Sequence, residues 1–151
     1  MASKKSNKNN IPIKFKICLA EISVLKPHER TDDSRLKNLS EEILSDGIIK
    51  KPIVVDEKTN TIIDGHHRVE ALKLLGCTKI PVCYVDYMCE NIGLKTTAKN
   101  TVITKDKVIE AALNNSPFNP KSTWHYIKFQ NGIKHISYIQ KRVDMPLEAL
   151  K

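Results

Sequence analysis

Apolar and polar positions alternate near the start of the chain. Ile13, Phe15, Ile17 and Leu19 fall on one face, with Lys14, Lys16 and Cys18 on the other, which predicts a half-buried strand over 13–19. Pro27 pushes Lys26 away from helical angles, so His28 and Glu29 belong to a loop. Leu36, Leu39, Ile43 and Leu44 then repeat at helical spacing over about Asp32 to Asp46, with acids at the start and Gly47 as the stop. Pro52 to Asp56 and Thr61 to Ile63 are short apolar runs separated by a turn, and they predict a hairpin. Asp64-Gly65 breaks the second run. Val69, Leu72, Leu74 and Leu75 predict a helix from His66 to Leu75, closed by Gly76, and Ile80 to Val85 is a further strand.

Beyond Tyr87 the pattern weakens. Thr104 can cap a helix from Lys105 to about Asn114, with Val108, Ile109, Ala112 and Leu113 on its apolar face. The proline-containing stretch from Asn115 to His125 reads as a loop. Asn131-Gly132 between Tyr126–Phe129 and Ile133–Ile139 is a type I′ hairpin signal. The last nine residues read as a short capping turn. These elements predict an α+β protein: a mixed sheet, packed helices and a C-terminal hairpin, in one domain over 11–151.

Composition changes this picture little. The 151 residues are 40% apolar and 28% charged, as in a globular protein with its own core. No apolar run is long enough to cross a membrane, and no hydrophobic stretch follows the first lysines, so a cytoplasmic protein is expected. The net charge of +8 is concentrated at the N-terminus: the first sixteen residues hold five lysines and no acid, which leaves 20 basic against 17 acidic residues beyond them. Residues 1–10 are expected to be a disordered basic tail. The body is close to balanced, so specific nucleic-acid binding is not expected, while an anionic small molecule is permitted. Cys18, Cys77, Cys83 and Cys89 form no CxxC pair and read as reduced and mostly buried.

Candidate chemistry centres on Asp64-Gly65-His66-His67-Arg68. The first amides of a helix lack intrahelical partners and sit at its positive end. A glycine turn there suits a phosphate, and Arg68 could add a forked contact. An ordinary solvated helix start reads the same way. Lys121, Ser122, Thr123 and His125 place a cation, two hydroxyls and an imidazole close together, which suits phosphate oxygens and equally a plain surface turn. Glu29 by itself reads as an exposed loop carboxylate.

Three segments together carry more. LKPHE (Leu25 to Glu29), DGHHR (Asp64 to Arg68) and PKSTxH (Pro120 to His125) occur in this order. The arrangement resembles the free L-serine kinases of the ParB/sulfiredoxin-like superfamily, over most of the chain from about Phe15 to Leu150. The resemblance implies a ParB/sulfiredoxin-like fold and transfer of a phosphoryl group from ADP or ATP, with Mg²⁺, to the hydroxyl of free L-serine. It implies Glu29 as catalytic base. Gly65, His66, His67 and Arg68, with Lys121, Ser122, Thr123 and His125, would bind nucleotide phosphate. Asp64 and His28 would contact substrate or metal. The physical logic agrees: a carboxylate that accepts the hydroxyl proton aids the attack, and phosphoryl transfer otherwise needs positioning and dispersal of charge. The sequence departs from the pattern at Trp124, where arginine is expected, and in its shorter C-terminal region. The donor, ADP or ATP, stays open, as does the fate of the product.

Other readings have their own signatures. A ParB-like DNA-binding or nucleotide-binding module without kinase activity would carry a helix-turn-helix after the core, and a proline-rich loop and hairpin stand there instead. Sulfiredoxin chemistry needs a cysteine where His66 stands. A zinc-type site from His66, His67 and His125 lacks ligand spacing.

Overall fold

The computed structural model describes residues 11–97 and 101–151, so the expectation for residues 1–10 lies outside the described residues. Four strands form the central sheet in the order β1 (Phe15–Glu21), β5 (Lys79–Val85), β3 (Ile53–Asp56), β4 (Ile62–Asp64). β3 and β4 are antiparallel, as the two apolar runs predict, with a bulge between Val54 and Val55. β3 runs parallel to β5. This central position explains why β3 is buried on both faces and reads as a continuous apolar run.

Each face of the sheet carries its own core. On one face Ile53, Val55, Ile80 and Val82 meet α1 (Asp33–Asp46) and α2 (His66–Leu74), with Leu147 and Leu150 closing the end. On the other, Val54, Cys83 and Val85 meet Ile92, Ile127, Ile136 and Ile139. These residues come from a three-stranded antiparallel sheet, β6 (Ile92–Thr96), β7 (Thr123–Phe129) and β8 (Gly132–His135), and from a 3-10 turn at Ile136–Ile139. α3 (Lys105–Leu113) packs Val108 on the same side. A two-residue pairing of β2 (Ile48–Ile49) with β9 (Met145–Pro146) ties the C-terminal segment beside α1. Among the described residues, no helix is long and apolar enough to cross a membrane.

The helix ends follow the sequence. Asp32 caps α1 by accepting from the Arg35 amide, and Gly47 ends it at φ +72°. Thr104 caps α3 through the Lys107 amide. Other expectations need correction. The strand predicted over 13–19 lies two residues later and sits at a sheet edge, where Ile17 and Leu19 stay about 40% exposed instead of facing a core. The hairpin's second strand stops at His135, because Ile136 and Ile139 reach the core only by leaving the strand for the 3-10 turn. Thr123 to His125 belong to β7 and not to the preceding loop. β6 went unpredicted, since Gly93 weakens its pattern. That glycine is needed because a Cβ there would meet the Tyr126 ring at 2.3 Å. Cys77 and Cys83 are buried, Cys89 partly so, and Cys18 is exposed.

Candidate active site

The DGHHR turn is fixed by Gly65. Its φ is +110°, and a Cβ would stand 2.3 Å from Ile53 Cγ2 in the central strand. Both the backbone angle and the packing exclude a side chain. Gly65→Ala is expected to cost about 3 kcal/mol, combining left-handed strain with overpacking. A shift in the urea midpoint checks this; an unchanged midpoint would show that the turn tolerates a β-carbon.

His66 and His67 open α2 and reach back to the Glu29 loop. His66 Nε2 accepts from the backbone amides of His28 at 3.1 Å and Glu29 at 3.3 Å. His67 Nε2 accepts from the Asp32 amide at 2.9 Å. Because both Nε2 atoms accept, these partners assign the ring protons to Nδ1. The histidine pair therefore pins the loop that carries Glu29. From the other side Phe118 pairs with the loop through His28 O and the Arg30 amide, each at 2.8 Å.

The Glu29 carboxylate faces the start of β7. Oε1 accepts from the Lys121 amide at 3.1 Å; Oε2 accepts from the Thr123 amide at 3.0 Å and its hydroxyl at 2.5 Å. Lys121 adopts φ +61°, and this left-handed residue turns nearby amides toward one anion. LKPHE, DGHHR and PKSTxH, remote in sequence, thus meet at Glu29.

They meet at the wall of a cavity of about 590 Å³. Glu29, Asp64, Gly65, His66, His67, Arg68, Lys121 and Thr123 line it. Other predicted site residues stand behind that wall. Ser122 is buried and donates to Asn119 O. His125 is buried with Nε2 2.8 Å from the Tyr87 hydroxyl. His28 has no exposure, and both its ring nitrogens are occupied, Nδ1 by Ile62 O at 2.7 Å and Nε2 by Thr123 Oγ1 at 3.2 Å. It therefore cannot serve as a direct ligand of substrate or metal.

Arg68 lines the cavity, but its terminal nitrogens point into the fold. One donates to Pro52 O at 2.6 Å and Lys51 O at 3.2 Å; the other to Gln140 at 3.1 Å and Asp64 at 3.4 Å. Gln140 also donates to Asp64 at 2.7 Å. This arrangement fits a support for Asp64 better than a forked phosphate contact. Arg68→Met is expected to lower stability by on the order of 3 kcal/mol, because it takes the donor from two carbonyls and the counter-charge from a partly buried carboxylate that keeps only its Gln140 bond. Chemical denaturation reads this directly. Unchanged stability with weakened nucleotide binding would restore the phosphate role.

Sequence reasoning missed part of the lining. Arg35, Asn38 and Glu42 come from one stripe of α1, and their helical spacing was the available signal. His135, Ser137 and Gln140 arrive from beyond the hairpin, and nothing local marks them. Trp124 packs edge-on to His135, with Lys95 Nζ 5.3 Å from its ring centre.

Electrostatics set the histidines apart. Burial holds His28 down to about 4, and it holds His66 and His125 well below 6.5, helped by their proximity to one another. The His28 ring lies 4.6 Å from His66 and 5.5 Å from His125, each edge-on. All three are neutral near pH 7. Burial, followed by Arg35, also lowers His67. Lys121 and Arg35 add positive charge to the wall beside Arg68, whose guanidinium is engaged by Asp64 and backbone carbonyls.

The donor set bears on metals. Among the described residues, no group of three or more His, Cys, Asp or Glu could hold an ion by itself. Asp64 offers the cavity a hard carboxylate oxygen, Oδ1, 4.0 Å from His135 Nε2. That donor fits Mg²⁺ carried in by phosphates, which needs few protein ligands.

Known proteins share this architecture. An ATP-dependent L-serine kinase of Staphylothermus marinus is 37% identical over 108 residues, covering 68% of this chain and 43% of that protein. An ADP-dependent L-serine kinase of Thermococcus kodakarensis is 31% identical over 101 residues, covering 64% of this chain and 42% of that protein. The chain thus spans less than half the length of these relatives. A solved free serine kinase in complex with AMP superposes with a TM-score of 0.77 at 17% identity, covering 96% of this chain and 98% of that chain, a likeness of fold. The sequence profile of the ParB N-terminal domain matches residues 1–103, and the chain belongs to that family.

Proposed function

We propose that this protein is a kinase that transfers a phosphoryl group from an adenine nucleotide to the hydroxyl of free L-serine, giving O-phospho-L-serine. The observation that carries the reading is the convergence of three remote segments on one carboxylate at a cavity wall. Glu29 is held by two amides, its loop is pinned by two histidines, and a helix N-terminus, Lys121 and Arg35 stand beside it. The names of the relatives support the substrate class and allow either ADP or ATP.

In this reading the nucleotide phosphates lie against the Gly65–His67 turn and Lys121, where unpaired helix amides and fixed positive charge disperse the charge of the transferring group. Serine lies beside Glu29, which accepts its hydroxyl proton as the oxygen attacks. Arg35 adds a second cation to the cavity wall. Asp64, oriented by Arg68 and Gln140, would hold the nucleotide's Mg²⁺, which would supply charge neutralisation at the phosphates. Ser122, His125 and His28 act from behind, by fixing β7 and the Glu29 loop.

The test is incubation of the protein with L-serine, Mg²⁺ and either ADP or ATP, with mass spectrometry of the small molecules. The reading predicts O-phosphoserine with at least one donor, and the productive donor identifies itself. Bound nucleotide without product would make the chain a nucleotide-binding module of the ParB kind.

A further inference from the structure

The Thr123 hydroxyl is shared between two acceptors, and counting protons shows that it cannot serve both. Ile62 O can only accept, so His28 Nδ1 carries the ring proton in that 2.7 Å contact. Burial keeps this imidazole neutral near pH 7, which leaves Nε2 as an acceptor. Nε2 lies 3.2 Å from Thr123 Oγ1, and the same oxygen lies 2.5 Å from Glu29 Oε2. A threonine hydroxyl has one proton. While Glu29 is ionised, that proton satisfies the carboxylate or the imidazole, and the other contact sets two lone pairs against each other. One added proton removes the conflict: Glu29 Oε2–H donates to Thr123 Oγ1, whose own proton donates to His28 Nε2.

We propose that the Glu29–Thr123–His28 chain is built to take up one proton, and that Thr123 and His28 are positioning residues that fit Glu29 to receive it. The inference rests on the kinase reading for its role in turnover. In that reaction the serine O–H bond breaks as its oxygen bonds to phosphorus. The bond from phosphorus to the nucleotide oxygen breaks with its electron pair, and the proton passes to Glu29 Oε2. The new carboxylic O–H turns about its C–O bond to face Thr123, and the proton leaves to water as the product departs.

The surroundings explain why such help is needed. The Lys121 and Thr123 amides both donate to the carboxylate, one to each oxygen. Of the titratable and charged groups nearby, His28, Arg30 and Asp32 share its loop, His66 and His67 face it from α2, Lys121 from just before β7, and Arg35, Glu42, Asp64, Arg68 and His135 line the same cavity. A carboxylate accepts a proton best where its protonated form also has a hydrogen-bond partner, and the shared hydroxyl supplies one.

The test compares the full chain with Thr123→Val, which keeps shape and amide but removes the hydroxyl, and with Thr123→Ser, which restores it. A carbon-13 NMR titration of the Glu29 carboxyl reads the proposal whether or not serine is the substrate. It expects the midpoint to fall by about one pH unit in the valine variant, tenfold in proton affinity, and to return in the serine variant. With phosphoserine formation as a second readout, kcat should fall about tenfold in Thr123→Val, and the acid limb of its pH profile should move to lower pH. An unchanged Glu29 midpoint in the valine variant overturns the proposal. So does a rate loss equal at every pH. A shifted midpoint in a protein that makes no phosphoserine keeps the proton chain and overturns only the kinase reading.

Discussion

Glu29→Gln is expected to lower turnover by roughly 10²–10⁴-fold, the range for loss of a general base, while nucleotide affinity changes little. Glutamine fills the same volume and keeps one oxygen to accept from the Lys121 or Thr123 amide. It removes the charge and the basic lone pair. The loop itself remains held by His66, His67 and Phe118, so the pocket should survive. Alanine is the poorer probe, because it frees both amides and the Thr123 hydroxyl together and mixes catalysis with local structure. Paired measurement of kcat and nucleotide Kd decides the matter. Equal loss of both would make Glu29 a structural bridge between its loop and β7.

Acid should unfold this protein earlier than its carboxylates alone require. His28, His66 and His125 are buried and neutral in the native state, with His28 held down to about 4 and the other two well below 6.5. In the unfolded chain each regains an ordinary value near 6.5. A lowered native value means that the unfolded state binds more protons below 6.5, so stability falls as pH drops through that point and continues to fall toward the native values. Three such residues together remove on the order of 5 kcal/mol between pH 7 and pH 5, a large share of ordinary domain stability. Urea midpoints at pH 7.5, 6 and 5 should decline steeply. A flat series down to pH 5 would show that the cluster admits protons without unfolding. Carboxylates titrate mainly below this window, so the two causes separate on the pH axis.

Local signals in the sequence served well where one interaction decides the structure. Asp32 and Gly47 bound α1, Thr104 starts α3, and the two apolar runs around residues 57–60 pair as a hairpin. The core strands β3 and β5 were legible because burial on both faces leaves continuous apolar runs. Elements set by tertiary contact were not. β6 exists because β7 pairs with it, and Ile136 to Ile139 leave the strand because a core has to be filled.

The site divides in the same way. Motif resemblance brought Glu29, the DGHHR turn and the KST segment to one place, and the fold places them together. What resemblance could not tell was direction. Arg68 points its forks at backbone carbonyls and Asp64. His125 turns inward with Ile127, the buried position two residues on along β7, and Ser122, just before that strand, is buried with its hydroxyl bound to Asn119 O. A spacing rule gives the company a residue keeps in the chain; only packing decides which of its atoms meets the cavity.

The central claim is that the cavity holds nucleotide phosphate and serine on either side of one proton transfer. The most direct measurement is a crystal structure of the full chain with L-serine and a non-hydrolysable nucleotide. The account predicts the serine hydroxyl within about 3.2 Å of a Glu29 carboxylate oxygen, and phosphate between the Gly65–His67 turn and Lys121. Serine bound away from Glu29, or phosphate bound elsewhere, would contradict it.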